Sequence, residues 1–268
     1  MLVALARARA GRFGPLFPMT IRSLPCRVLA WSLACSLAGL LSGLLLSCER
    51  RPAGGAAGPR FDAPAEDVSA PPAELSLPAG APRVLFLGDS IGAGLHLAEH
   101  QAFPAVLQRR LAEAGLPFEL INNSESGRTT SGGVAALDWS LRSQPDLVVI
   151  ELGGNDGLRG IELGLVEQNL RRLIEGSRAS GAEVLLLGVR LPPNYETFAE
   201  RFDGLYPRLA EEYGIGFVPF FMQGVGGNPA LNLADGLHPT AEGHQRLADT
   251  VEPALRQALE RLSASQAR

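Results

Sequence analysis

Lysine is missing from all 268 residues, so each of the 24 basic side chains is an arginine. Without a primary amine on a side chain, Schiff-base chemistry is excluded, and so is a phosphate loop built on lysine. Cysteine is almost as scarce, at three. Cys26 and Cys35 lie in or beside an apolar N-terminal run that ends at Cys48, so the chain beyond it holds no internal disulfide and must draw its stability from a core. Aromatic residues make up only 6% of the chain, a poor supply of the flat platforms that grip sugar rings. Excess positive charge is lacking too. Taking the five arginines before residue 28 from the 24 leaves 19 basic residues against 28 acidic ones, which argues against a nucleic-acid partner.

Those five, Arg7, Arg9, Arg12, Arg22 and Arg27, precede a charge-free stretch at 28–47 dominated by Leu and Ala. A basic flank followed by an apolar run is a targeting segment. Its end, Leu45-Leu46-Ser47-Cys48, resembles a bacterial lipoprotein signal in which Cys48 becomes the lipidated first residue, although Leu46 is bulkier than usual there. Translation from Met19 would give a more typical signal length. The alternatives are an uncleaved membrane-spanning helix, for which about 20 apolar residues suffice, and a plain secretory peptide. All three export the remainder, and the lipoprotein reading anchors it on the periplasmic side of a membrane. The expected organisation is a signal at 1–47, a lipidated cysteine with a Pro/Ala/Gly-rich tether at 48–82, and a single domain at 83–265.

Within that domain, short apolar runs at 83–87, 118–121, 147–152, 183–189 and 216–219 alternate with helical patterns. Phe103, Val106, Leu107 and Leu111 follow helical spacing, as do Val166, Leu170, Leu173 and Ile174, and then Leu247, Val251, Leu255, Leu259 and Leu262. Strand and helix in turn predict an α/β fold, a three-layer α/β/α sandwich around a five-stranded parallel sheet. Ligands of such sheets bind beyond the carboxyl ends of the strands. The loops of interest therefore begin at Gly88, Asn122, Gly153, Arg190 and Phe220.

The first of these loops carries Gly88-Asp89-Ser90 at the start of a helix. A serine hydroxyl attacks poorly alone and needs an imidazole to take its proton and a carboxylate to orient that imidazole. "DGLHPT" offers both, Asp235 and His238, although the same pair would also suit a cap on the final helix. Attack on a carbonyl creates an oxyanion, which neutral donors stabilise. Gly127 in "SESGRTT" offers a backbone N–H with no Cβ in its way, and Asn155 in "ELGGNDGLRG" offers a side-chain amide. His96 and His100 read as surface residues rather than a metal pair, and His244 as solvent-facing. Gly88, Gly92 and Gly94 do not make a dinucleotide-binding fingerprint.

In order along the chain, "GDSIG", "SGRTT", "GGND" and "DGLHP" resemble the four motif blocks of the SGNH (GDSL) hydrolase family. The longer stretches "VIELGGNDGLRG", "RLPPNY" and "YPRLAEEYGIGFVPFFM" are similar to its thioesterase I, lysophospholipase L1 and arylesterase group. The resemblance implies a flavodoxin-like fold with Ser90 as nucleophile and Asp235 and His238 completing a triad. It also implies an oxyanion hole formed by Ser90, Gly127 and Asn155. The implied activity is hydrolysis of a small acyl ester or thioester, with no metal or organic cofactor, and a monomer is expected. Ile91, Leu158, Leu191, Pro192 and Tyr195, with Phe221 and Met222, are candidates to line an apolar acyl pocket or to belong to the core. A carbohydrate acetylesterase and a non-catalytic acyl-binding lipoprotein are the alternative readings.

Overall fold

The computed structural model describes residues 76–266. The expected signal segment, Cys48 and the tether up to residue 75 lie outside the described residues.

Residues 84–87 and 147–150 are unbroken apolar runs, which suits strands buried on both faces of a parallel sheet. They form the centre of that sheet. Its strands are β1 (Arg83–Gly88), β2 (Glu119–Asn122), β3 (Leu147–Glu151), β4 (Glu183–Leu187) and β5 (Gly216–Val218). All pairings are parallel, in the order β2-β1-β3-β4-β5. β5 ends at Val218 because Pro219 has no N–H to continue the ladder.

The connecting helices are α1 (Ser90–Ala93), α2 (Phe103–Glu113), α3 (Thr130–Ser140), α4 (Gly154–Leu158), α5 (Leu163–Ala179), α6 (Glu196–Asp203), α7 (Leu205–Tyr213) and α8 (Ala241–Gln266). From β1 the chain first steps outward to β2, then returns past β1 to β3 and continues to β4 and β5. Right-handed crossovers therefore send α2 to one face of the sheet and α3 and α5 to the other. The pairing of α2 with α8, and of α3 with α5, follows. The result is the expected three-layer sandwich. Its switch point lies between β1 and β3, where two neighbouring loops part to opposite faces and leave a crevice at the carboxyl edge.

His244 corrects one expectation. It is fully buried rather than solvent-facing, and its Nδ1 accepts the Phe103 N–H at 3.1 Å. The cause is local: Ala102, which precedes α2, has no side chain able to cap it, and α8 docks so that the imidazole does the capping and stacks on the Phe103 ring. Burial lowers the His244 pKa from 6.5 to about 4. The folded protein therefore keeps the ring neutral at pH values where the unfolded chain protonates it. Its contribution is complete above about pH 6.5 and is lost as pH falls toward 4, by about 3 kcal/mol in all. Urea unfolding of the parent and of His244→Asn from pH 7 to pH 4 checks this. The stability gap between them should narrow by about that amount on acidification, and a constant gap would contradict it.

Candidate active site

Ser90 follows β1 directly, and the residue that caps the short helix α1 is its neighbour. Asp89 accepts the Ile91 N–H on Oδ1 at 3.0 Å, which leaves the Ser90 hydroxyl free of capping duty. Ser90 is also the first residue of α1, so its own N–H has no partner within the helix.

Beneath this turn sits Glu151, the last residue of β3, 1% exposed. Its Oε2 accepts the backbone N–H groups of Asp89 and Gly92, each at 3.1 Å. The fit is close: a Cβ on Gly92 would lie 2.4 Å from Ser124 Oγ and 2.8 Å from Glu151 Oε2. Only glycine lets the turn descend onto the carboxyl. Burial first, and then the Asp89 charge, push the Glu151 pKa well above the usual carboxylate range. Burial also raises Asp89, against the pull of its hydrogen bond from Ile91.

The other partners arrive on the loop after β5. A bridge between Asn232 and Pro239 and a 2.7 Å bond from Leu233 N–H to the His238 carbonyl close this loop. Asp235 Oδ1 accepts the N–H groups of Leu237 and His238 at 2.9 and 3.0 Å. Its Oδ2 lies 2.7 Å from His238 Nδ1, and His238 Nε2 lies 2.9 Å from Ser90 Oγ. The N–H of His238, then its ring and the N–H of Leu237, hold the Asp235 pKa below the usual range, so it stays ionised. An anion on Nδ1 keeps the proton there, which leaves Nε2 as an acceptor facing the hydroxyl. The capping alternative for this pair does not occur, because the N-terminus of α8 is served by Thr240 Oγ1, which accepts the Gly243 N–H at 3.1 Å.

Gly127 and Asn155 come from the loops after β2 and β3. Gly127 has φ +79°, a conformation that favours glycine, and a Cβ there would meet only Arg159 Nη2, at 3.5 Å. Asn155 Nδ2 donates to Asp89 Oδ2 at 3.1 Å. Two buried groups fix these loops. Asp156, wholly buried, accepts the Thr130 N–H at 2.8 Å and the Thr130 hydroxyl at 2.6 Å, which ties α4 to the start of α3. Arg128, 9% exposed, donates to the carbonyls of Asn123 and Gly88, and so ties the Gly127 loop to the end of β1.

Leu191, Tyr195 and Leu158 gather around α4. Leu191 packs on Gly157, and the Tyr195 hydroxyl donates to the Leu158 carbonyl at 3.2 Å. Leu158 is 40% exposed and Pro192 is exposed, while Ile91 and Leu191 are at 8%. Phe221 belongs to the core, with its ring 6.1 Å from that of Phe103, and Met222 packs against the same core. His96 and His100 do not share a helix: His96 is exposed with φ +69°, and His100 lies in a separate turn. The His96 ring instead stands edge-on to that of His238, 6.3 Å between centroids.

Sequence reasoning missed Glu151, Asp156, Arg128 and Arg159. All four stand in or beside the stretches that contain Gly127 and Asn155. A charged residue closing an apolar strand, as Glu151 does, was the available signal.

Known proteins resemble this chain in sequence and in fold. Residues 86–246 match the GDSL-like Lipase/Acylhydrolase family. The chain is 45% identical over 184 residues to Esterase TesA of Pseudomonas aeruginosa, covering 68% of this chain and 92% of that protein. It is 39% identical over 173 residues to the thioesterase 1/protease 1/lysophospholipase L1 of Escherichia coli, covering 64% and 82%. Among solved structures, the psychrotrophic esterase EstA from Pseudoalteromonas, inhibited by monoethylphosphonate, superposes with a TM-score of 0.63 at 30% identity, covering 66% of this chain and 98% of that one. Fold, site and relatives define a carboxylic ester hydrolase. The chain belongs to the GDSL-like lipase/acylhydrolase family, the SGNH hydrolases whose motif blocks it carries.

Proposed function

We propose that this esterase works through a Ser90-His238-Asp235 triad and a covalent acyl-enzyme. The observation that carries the reading is the unbroken chain of short contacts, 2.9 Å from Ser90 Oγ to His238 Nε2 and 2.7 Å from Nδ1 to Asp235 Oδ2. His238 takes the hydroxyl proton as Oγ attacks the acyl carbonyl. The N–H groups of Ser90 and Gly127 and the Asn155 amide receive the oxyanion, each worth about 3 kcal/mol to the transition state. The tetrahedral species then collapses: the bond to the alcohol or thiol breaks, and the leaving group carries away the proton from Nε2. Water repeats the sequence on the acyl-enzyme and releases a carboxylic acid.

The acyl group is an apolar chain held against α4. Leu158, Leu191 and Tyr195 meet there, with Pro192 beside them and Ile91 next to the nucleophile. Relatives named arylesterase and thioesterase 1/lysophospholipase L1 are in keeping with that substrate class. The domain acts after export, as a monomer tethered by residues 49–82 to a lipidated Cys48. The support for export and anchoring is the basic and apolar N-terminal sequence.

Hydrolysis of p-nitrophenyl esters from acetyl to palmitoyl, with acyl-CoA thioesters in parallel, tests the substrate. Turnover per KM should rise from the acetyl ester to medium-length chains by about tenfold or more, since each buried CH2 contributes about 0.8 kcal/mol. A sharp acetyl preference would contradict an apolar acyl site and favour a carbohydrate deacetylase.

A further inference from the structure

Arg159 stands four residues after Asn155, so it shares that residue's face at the end of α4. One of its nitrogens, Nη2, makes two bonds to the two loops that carry the oxyanion donors: 3.2 Å to the Gly127 carbonyl and 3.3 Å to Asn155 Oδ1. We propose that Arg159 is a positioning residue for the oxyanion pocket, which bridges the two loops and fixes which end of the Asn155 amide faces the substrate. The inference rests on the reading of Gly127 and Asn155 as donors.

A terminal amide is nearly symmetric in shape but opposite in chemistry at its two ends. Rotated by half a turn, Asn155 would present an oxygen to the developing anion and repel it. Two neighbours prevent this, because each accepts only one end. The Asp89 carboxylate can only accept, and it holds Nδ2 at 3.1 Å; the guanidinium can only donate, so it holds Oδ1. The charge on Arg159 also draws electron density toward Oδ1, which makes the remaining Nδ2 hydrogen a stronger donor. On the opposite loop, holding the Gly127 carbonyl limits rotation about its Cα, where φ is +79° and no side chain restrains the backbone. Arg159 is exposed and contributes no burial of its own to the core.

The test is a double-mutant cycle of Arg159→Met with Asn155→Ala, with kcat and KM measured on one medium-chain ester. An oxyanion forms only in the transition state, so Arg159→Met should lower kcat about tenfold with KM within about twofold, a smaller loss than the 10²–10³ expected on deleting a donor. In the Asn155→Ala background the same change should lower kcat by less than about threefold. Equal losses in the two backgrounds would overturn the proposal, as would a raised KM at unchanged kcat, which would make Arg159 a substrate-binding cation. Melting temperatures within about 2 °C of the parent would confirm that the exposed change leaves the fold intact. An unaffected Arg159→Met enzyme beside an inactive Ser90→Ala enzyme refutes only this bridge. An active Ser90→Ala enzyme refutes the triad beneath it.

Discussion

Replacement of Ser90 by alanine is expected to lower kcat on acyl esters by about a million-fold, to the level supported by the oxyanion donors alone. The size follows from the chain of contacts. Ser90 Oγ is the one hydrogen-bond partner of His238 Nε2 among the described residues, at 2.9 Å. Without the oxygen no covalent intermediate forms, and without the imidazole the oxygen stays a weak nucleophile. His238→Ala should therefore lose nearly as much as Ser90→Ala, and the double variant little more than either, because residues acting as a unit are not additive. KM for each should stay within a few-fold of the parent, since neither side chain binds the ground state strongly. Losses of only ten- to a hundred-fold, or losses that multiply in the double variant, would show the two residues acting separately. The fold is not at stake: Ser90 caps nothing, and the turn around it is held by Asp89 and Glu151.

The second large effect is at Asp235, through a change that hardly alters shape. Asp235→Asn keeps an oxygen for the N–H groups of Leu237 and His238, now at 2.9 and 3.0 Å, so the loop retains its turn. What changes is the group facing the ring. An amide N–H in place of a carboxylate oxygen 2.7 Å from Nδ1 forces that nitrogen to become the acceptor, and the proton moves to Nε2. The imidazole then offers a donor to Ser90 where an acceptor is required. A loss of about ten-thousand-fold in kcat at neutral pH is expected, with the melting temperature nearly unchanged. Steady-state kinetics beside thermal unfolding separate the two quantities. A large drop in melting temperature with modest loss of kcat would make Asp235 a structural residue.

The elements visible in the sequence are those whose environment is uniform along their length. Val84–Leu87 and Leu147–Ile150 are covered on both faces, so their apolar runs leave one reading. α2, α5 and α8 each show one stripe to the sheet, and their period of 3.6 residues is plain. By contrast α3 carries a pair of glycines, Gly132 and Gly133, in its first turn and has Trp139 two-thirds exposed. A Cβ on Gly133 would lie 2.4 Å from Leu152, so closeness to the sheet takes the place of an apolar stripe there. His244 was illegible for a different reason: its burial depends on where α8 docks over α2, and no local pattern encodes a partner 141 residues away.

The site divides in the same manner. Ser90, Gly127, Asn155, Asp235 and His238 follow four different strands, and the chemistry of acyl transfer asks for one part from each loop. That logic selects residues by what they do to a substrate. Glu151, Asp156 and Arg128 bond to the backbone of other loops: they hold the Ser90 turn, the α4 start and the Gly127 loop. Their roles become visible only when the loops are brought together in space.

The central claim is that the hydroxyl at Ser90 is made nucleophilic by His238, and a fluorophosphonate tests it most directly, since attack on phosphorus expels fluoride and leaves a stable adduct on the attacking oxygen. Trypsin releases residues 84–109 as one peptide in which Ser90 is the only serine. The account predicts one adduct per folded chain, on that peptide, absent from Ser90→Ala and formed far more slowly in His238→Ala. A folded, parent-sequence protein that takes up no label, or that takes it up elsewhere at the same rate with and without Ser90, would contradict it.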